Sequence, residues 1–178
     1  MVVVYCNKRS IAEGLTPCYK IKGKTDPSKW GALPIEDDDV DYDDSVWATV
    51  TCDFKANGYR LPTSAEWEYL ARGGNTSNSG QTEYSGSNDI EAVAWYKGNS
   101  GGKTHEIKKK AANALGLYDM TGNVDEWCWD KDGDCRSDRG GSYDDDADCL
   151  VLSSGEGGAL SPDLWDDVGF RVVRTLSE

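Results

Sequence analysis

The stretch YRLPTSAEWEYLARGG, residues 59–74, constrains the fold more than any other part of the chain. Thr63 and Glu66 have the spacing of a capping box, in which the threonine oxygen accepts from an early helical amide and the glutamate reaches back to the cap. Trp67, Leu70 and Ala71 fall on one helical face, and Gly73 supplies the left-handed residue that ends a helix. The spacing predicts a short, closed helix of about three turns. Residues 1–13, MVVVYCNKRSIAE, stop at Gly14 and fit a helix, but the valine run fits a strand as well, and the pattern leaves both open. Residues 73–89, rich in Gly, Ser and Asn, read as a long surface loop. Residues 166–174, DDVGFRVVR, alternate Phe170 and Val172 with Arg171 and read as a terminal strand. No internal repeat is present in the sequence.

Composition agrees with that reading. Seven Trp and nine Tyr stand against two Phe, a skew toward rings whose N–H or O–H can reach a backbone carbonyl while the ring fills a gap. Twenty Gly against five Pro supply bends rather than helix. At 178 residues the expectation is one compact domain. The net charge of −13 repels a phosphate backbone and an anionic membrane surface, which argues against nucleic acid as a partner. No apolar run approaches the roughly 18 residues that span a bilayer, so membrane insertion by this chain is not expected. Residues 36–44, EDDDVDYDD, hold seven carboxylates in nine positions, but without the glycine and glutamate of a calcium-binding EF loop they read as a solvated acidic loop.

Enzyme signatures fail one after another. The six cysteines, 6, 18, 52, 128, 135 and 149, form no CxxC and read mainly as small buried hydrophobes; a Cys128–Cys135 loop closure is compatible with the sequence, but nothing in it supports that pairing. His105 is the single histidine, so neither Ser142 nor Ser153 has a spacing that brings it a base. Gly101–Gly102–Lys103–Thr104 lacks the earlier glycine of a phosphate loop. Carboxylate pairs for glycoside hydrolysis can be chosen so freely among the aspartates that none carries weight.

The blocks EGLTPCY, NGYRLPTSAEWEYLARGG, GLYDMTGNVDEWCWD, RGGSY and GFRVVR resemble, in order and over nearly the whole chain, the formylglycine-generating enzyme (sulfatase-modifying factor) family. The resemblance implies an α+β fold of the C-type lectin kind, irregular and loop-rich, with small antiparallel sheets and two helices. It implies one domain over residues 1–178, lacking the family's N-terminal strands. In the active members two cysteines follow the GGSY aromatic at its second and seventh positions and hold Cu(I) for the O2-dependent oxidation of a substrate cysteine. Here those positions are Asp145 and Leu150, with Cys149 one residue short. Cu(I) is soft and prefers thiolates, so copper and oxidase activity are not expected. The cationic segment that follows in the enzymes is LVLSSGEGG in this chain.

A second group on this scaffold fits the departure. Diversity-generating retroelement variable proteins are similar to the family and carry their hypervariable binding residues between the RGGS and GFR anchors, the interval 143–168 here. The resemblance therefore implies a non-catalytic ligand-binding surface, with Tyr143, Asp144, Asp145, Asp148, Leu150, Leu152, Asp163, Leu164 and Trp165 as contacts. Aromatic and aspartate side chains suit a basic protein or peptide, with carbohydrate as the weaker alternative. An inactive relative of the oxidase is the other reading. The family also has a structural Ca²⁺ site that maps onto Asp119, Gly122, Val124 and Glu126, two carboxylates and two backbone carbonyls being hard donors. Asp125, where the family usually has Trp, adds charge beside it. For a binder, an extracellular or cell-surface location is expected.

Overall fold

The computed structural model describes residues 2–32, 44–75, 77, 80–132, 135–153, 157–159 and 166–176. The acidic run at 36–43 and the expected contacts Asp163, Leu164 and Trp165 lie outside the described residues. The chain divides into two compact units, residues 1–61 with 172–178 and residues 62–171.

In the first unit the ambiguity at the N-terminus resolves to a helix, α1 (Val2–Ala12). Its buried residues, Val4, Cys6, Asn7 and Ser10, form one face, so helical periodicity and not the β-preference of valine decides the segment. Gly14 closes it at φ +69°, and the Leu15 amide donates to the Ser10 carbonyl at 2.8 Å. Asn7 is fully buried because its amide bridges loops: Nδ2 donates to the carbonyls of Tyr19 and Thr25, each at 2.7 Å, and Oδ1 accepts from the Tyr19 amide. Two antiparallel pairs follow, β1 (Tyr19–Lys20) with β2 (Thr51–Cys52) and β3 (Tyr59–Arg60) with β8 (Val173–Arg174). A short helix, α2 (Asp44–Trp47), precedes β2. Burial pushes the Cys6 thiol up to about 12, so this cysteine behaves as a core residue.

The second unit carries α3 (Ser64–Ala71), with both hydrogen bonds of the expected capping box: Glu66 N to Thr63 Oγ1 at 3.2 Å and Thr63 N to Glu66 Oε2 at 2.8 Å. A second short helix, α4 (Ile90–Val93), lies further along. The sheet runs β6-β5-β4-β7: β4 (Asp125–Asp132) and β5 (Cys135–Arg139) are antiparallel with a bulge between Trp127 and Lys131. Strand β6 (Gly157–Ala159) extends that pairing, and β7 (Val168–Gly169) lies parallel to β4. Trp67, Ala71, Met120, Cys128 and Leu152 form one core cluster; Tyr84, Val93, Ala94 and Leu150 form another.

Two expectations change. The single strand expected over 166–174 is split into β7 and β8, in different sheets, because Arg171 between them turns its side chain onto Glu126. The loop at 73–89 is not all surface: Tyr84 and Ser85 are buried, the serine hydroxyl donating to the Ala71 carbonyl at 2.7 Å.

Candidate functional site

The GLYDMTGNVDEW segment folds as a turn with four residues in the left-handed region, Gly116 (φ +74°), Asp119 (+53°), Gly122 (+72°) and Asn123 (+71°). Gly122 is compulsory on two grounds, since a Cβ there would lie 2.2 Å from the Trp95 carbonyl oxygen. Asn123 then ties three segments together. Its amide donates to the Trp95 carbonyl at 2.7 Å, its Oδ1 accepts from the His105 amide at 2.8 Å, and its carbonyl accepts from the Tyr143 amide at 3.0 Å. His105 stacks on Trp95 with centroids 3.8 Å apart, and its Nε2 lies 2.7 Å from the Ser100 carbonyl. Ser142 Oγ donates to Asp145 instead, so serine and histidine are parts of two different packing arrangements.

Behind the turn, Glu126 is 6% exposed and is the acceptor for Trp67 Nε1 at 2.7 Å and for Arg171, whose Nη2 reaches Oε1 at 2.6 Å. Burial raises this carboxyl, while Arg171 and Trp67 act to lower it. Arg171 Nη2 also donates to the carbonyls of Tyr118 and Asp119. The Asp119 carboxylate accepts from the Lys108 amide at 2.8 Å, and the Gly122 carbonyl accepts from the Val124 amide. Of the four residues expected to hold calcium, Asp119, Gly122 and Glu126 thus have donor atoms in hydrogen bonds, and a guanidinium balances the Glu126 charge. Among the described residues no group of three or more His, Cys, Asp or Glu side chains is placed to hold a metal ion.

The opening of the GGSY loop packs against that turn. Gly141 N donates to Asp125 Oδ1 at 2.7 Å, and a Cβ on Gly141 would meet Leu150 Cγ at 2.7 Å. Asp145 folds back, accepting from the Ser142 amide at 2.7 Å and the Ser142 hydroxyl at 2.9 Å. Its own carbonyl accepts from the Lys97 amide, and Lys97 Nζ pairs with Asp146 at 3.0 Å. Ser100 Oγ donates to the Tyr143 carbonyl at 2.8 Å. The loop is thus held at both ends and in the middle. Beneath it lies a cavity of about 180 Å³ with Asp125, Asp138, Asp145 and Arg139 as charged walls and Trp67, Leu150 and Leu152 as apolar ones. Burial, then the charge of Asp138, pushes the Asp125 carboxyl up to about 7, against the pull of the Gly141 amide. Arg139 offsets little of this, because its Nη2 reaches Glu68 at 3.2 Å and its guanidinium lies over the Trp67 ring at 5.4 Å.

The expected contact residues separate into groups. Asp144 and Asp148 are exposed and Tyr143 is half-buried, on one loop as expected. Asp145 is half-buried, its carboxylate turned into the loop. Leu150 (3% exposed) and Leu152 (6%) are core residues, one in each apolar cluster, so they support the loop rather than face a partner. The cavity walls Trp67, Asp138 and Arg139 escaped the sequence reading. Asp125 left a signal, an aspartate where the family usually has a tryptophan, and the pairing of Leu150 with Leu152 across one residue was a burial signal within the loop.

At the two positions of the oxidase thiols the structure therefore has a carboxylate bonded to Ser142 and a buried leucine. Cys149, exposed beside them, has its thiol pushed up by desolvation and then by Asp148, Asp145 and Asp146. That favours the protonated form over the thiolate that binds metal or attacks.

Comparison with known proteins agrees with this architecture. A family model for the sulfatase-modifying factor enzyme 1-like domain matches residues 2–176. A protein of Paenibacillus barcinonensis named chaperone protein LppX is 38% identical over 198 residues, covering 97% of this chain and 66% of the relative. The formylglycine-generating enzyme of Mycobacterium tuberculosis is 38% identical over 86 residues, 39% of this chain. Among solved structures, Treponema denticola variable protein 1 superposes with a TM-score of 0.76 at 33% identity, over 96% of this chain and 66% of that one. The chain thus spans just under two thirds of the Paenibacillus and Treponema proteins, and its match covers 26% of the Mycobacterium enzyme. The α+β fold is shared with them, and the chain belongs to the sulfatase-modifying factor family, within its formylglycine-generating enzyme type of the C-type lectin fold.

Proposed function

We propose that this chain is a recognition domain that binds a protein or peptide through the face carrying Tyr143, Asp144 and Asp148, and that it does not oxidise cysteine. One observation carries the reading. Where the oxidases place two thiols, Asp145 spends its carboxylate on Ser142 and Leu150 is packed in the core. A single cysteine among carboxylates offers Cu(I) a poor donor set. The loop above is pre-organised by hydrogen bonds that Lys97 and Ser100 donate and the Asn123 carbonyl accepts, so binding would cost little further ordering. Exposed aspartates steer a basic partner, and Tyr143 supplies contact area at low entropic cost.

Names among the relatives support the reading. One is a variable protein, and another is named a chaperone, a class that engages other proteins. We assign the chain to the variable type, with diversity between residues 143 and 168, and place it at the cell exterior. Calcium and copper have no part in the proposed binding, and carbohydrate is the weaker alternative ligand.

The test has two arms. A cysteine-bearing sulfatase peptide, incubated in air with copper and the protein, is expected to remain unconverted; formylglycine product that disappears in Cys149→Ser would contradict the proposal. Reading the gene's flanks for a near-copy of the 139–171 coding stretch, mismatched at adenines, tests the variable type, and its absence would count against that assignment.

A further inference from the structure

We infer that the lysine-bearing loop at residues 97–110, which adjoins the Tyr143 loop, is a second contact of the recognition surface and takes an acidic segment of the protein or peptide bound there. The inference rests on the recognition reading above and names the chemistry of a part of the ligand that Asp144 and Asp148 would repel.

In a chain of net charge −13, residues 97–110 carry five lysines, 97, 103, 108, 109 and 110, against one carboxylate, Glu106. Two of the five are engaged within the fold. Lys97 pairs with Asp146, and Lys110 Nζ donates to the Glu91 carbonyl at 2.7 Å while lying 4.1 Å from the centre of the Trp95 ring. Lys109 reaches Glu106 at 3.1 Å, but these side chains are 54% and 75% exposed, where an ion pair holds little. Lys103 is exposed, and so is Lys108, whose Nζ stands 5.9 Å from the centre of the Tyr118 ring. Lys103, Lys108 and Lys109 therefore keep their charge available to a partner. Ile107, 64% exposed and next to Lys108 in the chain, adds apolar contact area.

The loop is fixed at several points. Gly102 N donates to Ser100 Oγ at 3.0 Å, the His105 and Lys108 amides donate to Asn123 and Asp119, and Ala111 N donates to the Ala92 carbonyl at 2.8 Å. It is also tied to the recognition loop, since Ser100 Oγ donates to the Tyr143 carbonyl and His105 Nε2 lies 2.7 Å from the Ser100 carbonyl. The lysines thus stand on the framework that positions Tyr143. A separate feature singles out Lys108. Its φ is +65°, in the left-handed region that glycine enters freely and a residue with a Cβ does not. A lysine held against that local preference is a conflict of the kind that collects at binding sites.

The choice among ligand classes follows. A cationic segment would be repelled by the ammonium groups. A nucleic acid brings a continuous run of phosphates, and those beyond the three lysines would meet Asp144, Asp146 and Asp148 on the adjoining loop. A few carboxylates next to a basic stretch, as a peptide or protein surface offers, match the short cationic strip and its acidic neighbour together.

The experiment uses the intact chain and small probes in place of the partner. Binding of acetyl-tetraglutamate amide is compared with that of acetyl-tetraglutamine amide at low salt, followed by NMR shifts of the His105 and Ile107 amides. The acidic probe is expected to bind at least about tenfold more tightly. The preference should fall to near unity in a variant combining Lys103→Gln, Lys108→Gly and Lys109→Gln, in which the glycine suits the backbone at 108 and thermal melting confirms the fold. Replacing Lys8, Lys24 and Lys55, exposed lysines of the first unit, by glutamine makes the same change in net charge and should leave the preference intact. Equal binding of the two peptides, no binding of either, a preference that survives in the first variant, or one lost as fully in the second would overturn the inference. So would tighter binding of an oligothymidylate of equal charge than of the acidic peptide. None of these results depends on Tyr143, Asp144 and Asp148. Their replacement by alanine tests the recognition face separately and should not weaken binding of the acidic probe.

Discussion

At the residue scale, Asp125 shows how one substitution alters the character of a site. Where the family usually has a large indole, this chain has a carboxylate, set among Asp138, Asp145 and Asp167. Its folded-state value of about 7 lies above its ordinary 3.8, so the folded protein holds this proton more tightly than the unfolded chain does. Stability from this group is therefore full below about pH 4 and is lost as pH rises through 7. Asp125→Asn removes the titration while keeping an acceptor for Gly141. The variant is expected to gain melting temperature over the natural chain progressively between pH 4 and 7, with a level difference above. A difference that does not vary with pH would show that the Asp125 charge is compensated in the folded state. Glu126 is the contrasting case one residue on. Although it too is raised by burial, Arg171 and Trp67 satisfy it, and its part is to hold the turn to the strand that ends the unit.

At the element scale, the turn over residues 118–126 positions everything else in the site, and the account makes its arginine, not a metal, responsible for holding it. Arg171 donates to two carbonyls and to the Glu126 carboxylate, and so spans the turn. Melting with and without a calcium chelator is expected to give the same Tm. A fall on chelation would show that an ion displaces the guanidinium, because a tightly bound ligand stabilises the folded state by mass action. The same scale shows what the sequence could reveal. The helix α3 was legible down to both bonds of its cap, since capping and glycine termination are local chemistry. The N-terminal segment was not, because valine favours strands and only the packing of Val4, Cys6 and Asn7 on one face chooses the helix. The Leu150 and Leu152 positions were read as surface on the strength of the interval they occupy, whereas their burial depends on Tyr84 and Trp67, distant in sequence. The terminal strand was legible as extended chain, but its break at Arg171 depends on a partner 45 residues away.

At the scale of the whole molecule, the family match runs over residues 2–176, while the proposal turns on the few residues at 145–150. The anchors RGGSY and GFRVVR are both present in the sequence, and the described part of the interval between them carries Tyr143, Asp144 and Asp148. With a net charge of −13, the chain draws cations toward that face over a distance set by ionic strength. A shared fold does not by itself fix the function of the site it carries. The central claim is that the thiol pair has been lost in substance and not merely shifted by one residue. Anaerobic Cu(I) titration against a chromophoric chelator measures it most directly: the account predicts that the protein withdraws no stoichiometric copper, and one equivalent taken up by the natural chain but not by Cys149→Ser would contradict it.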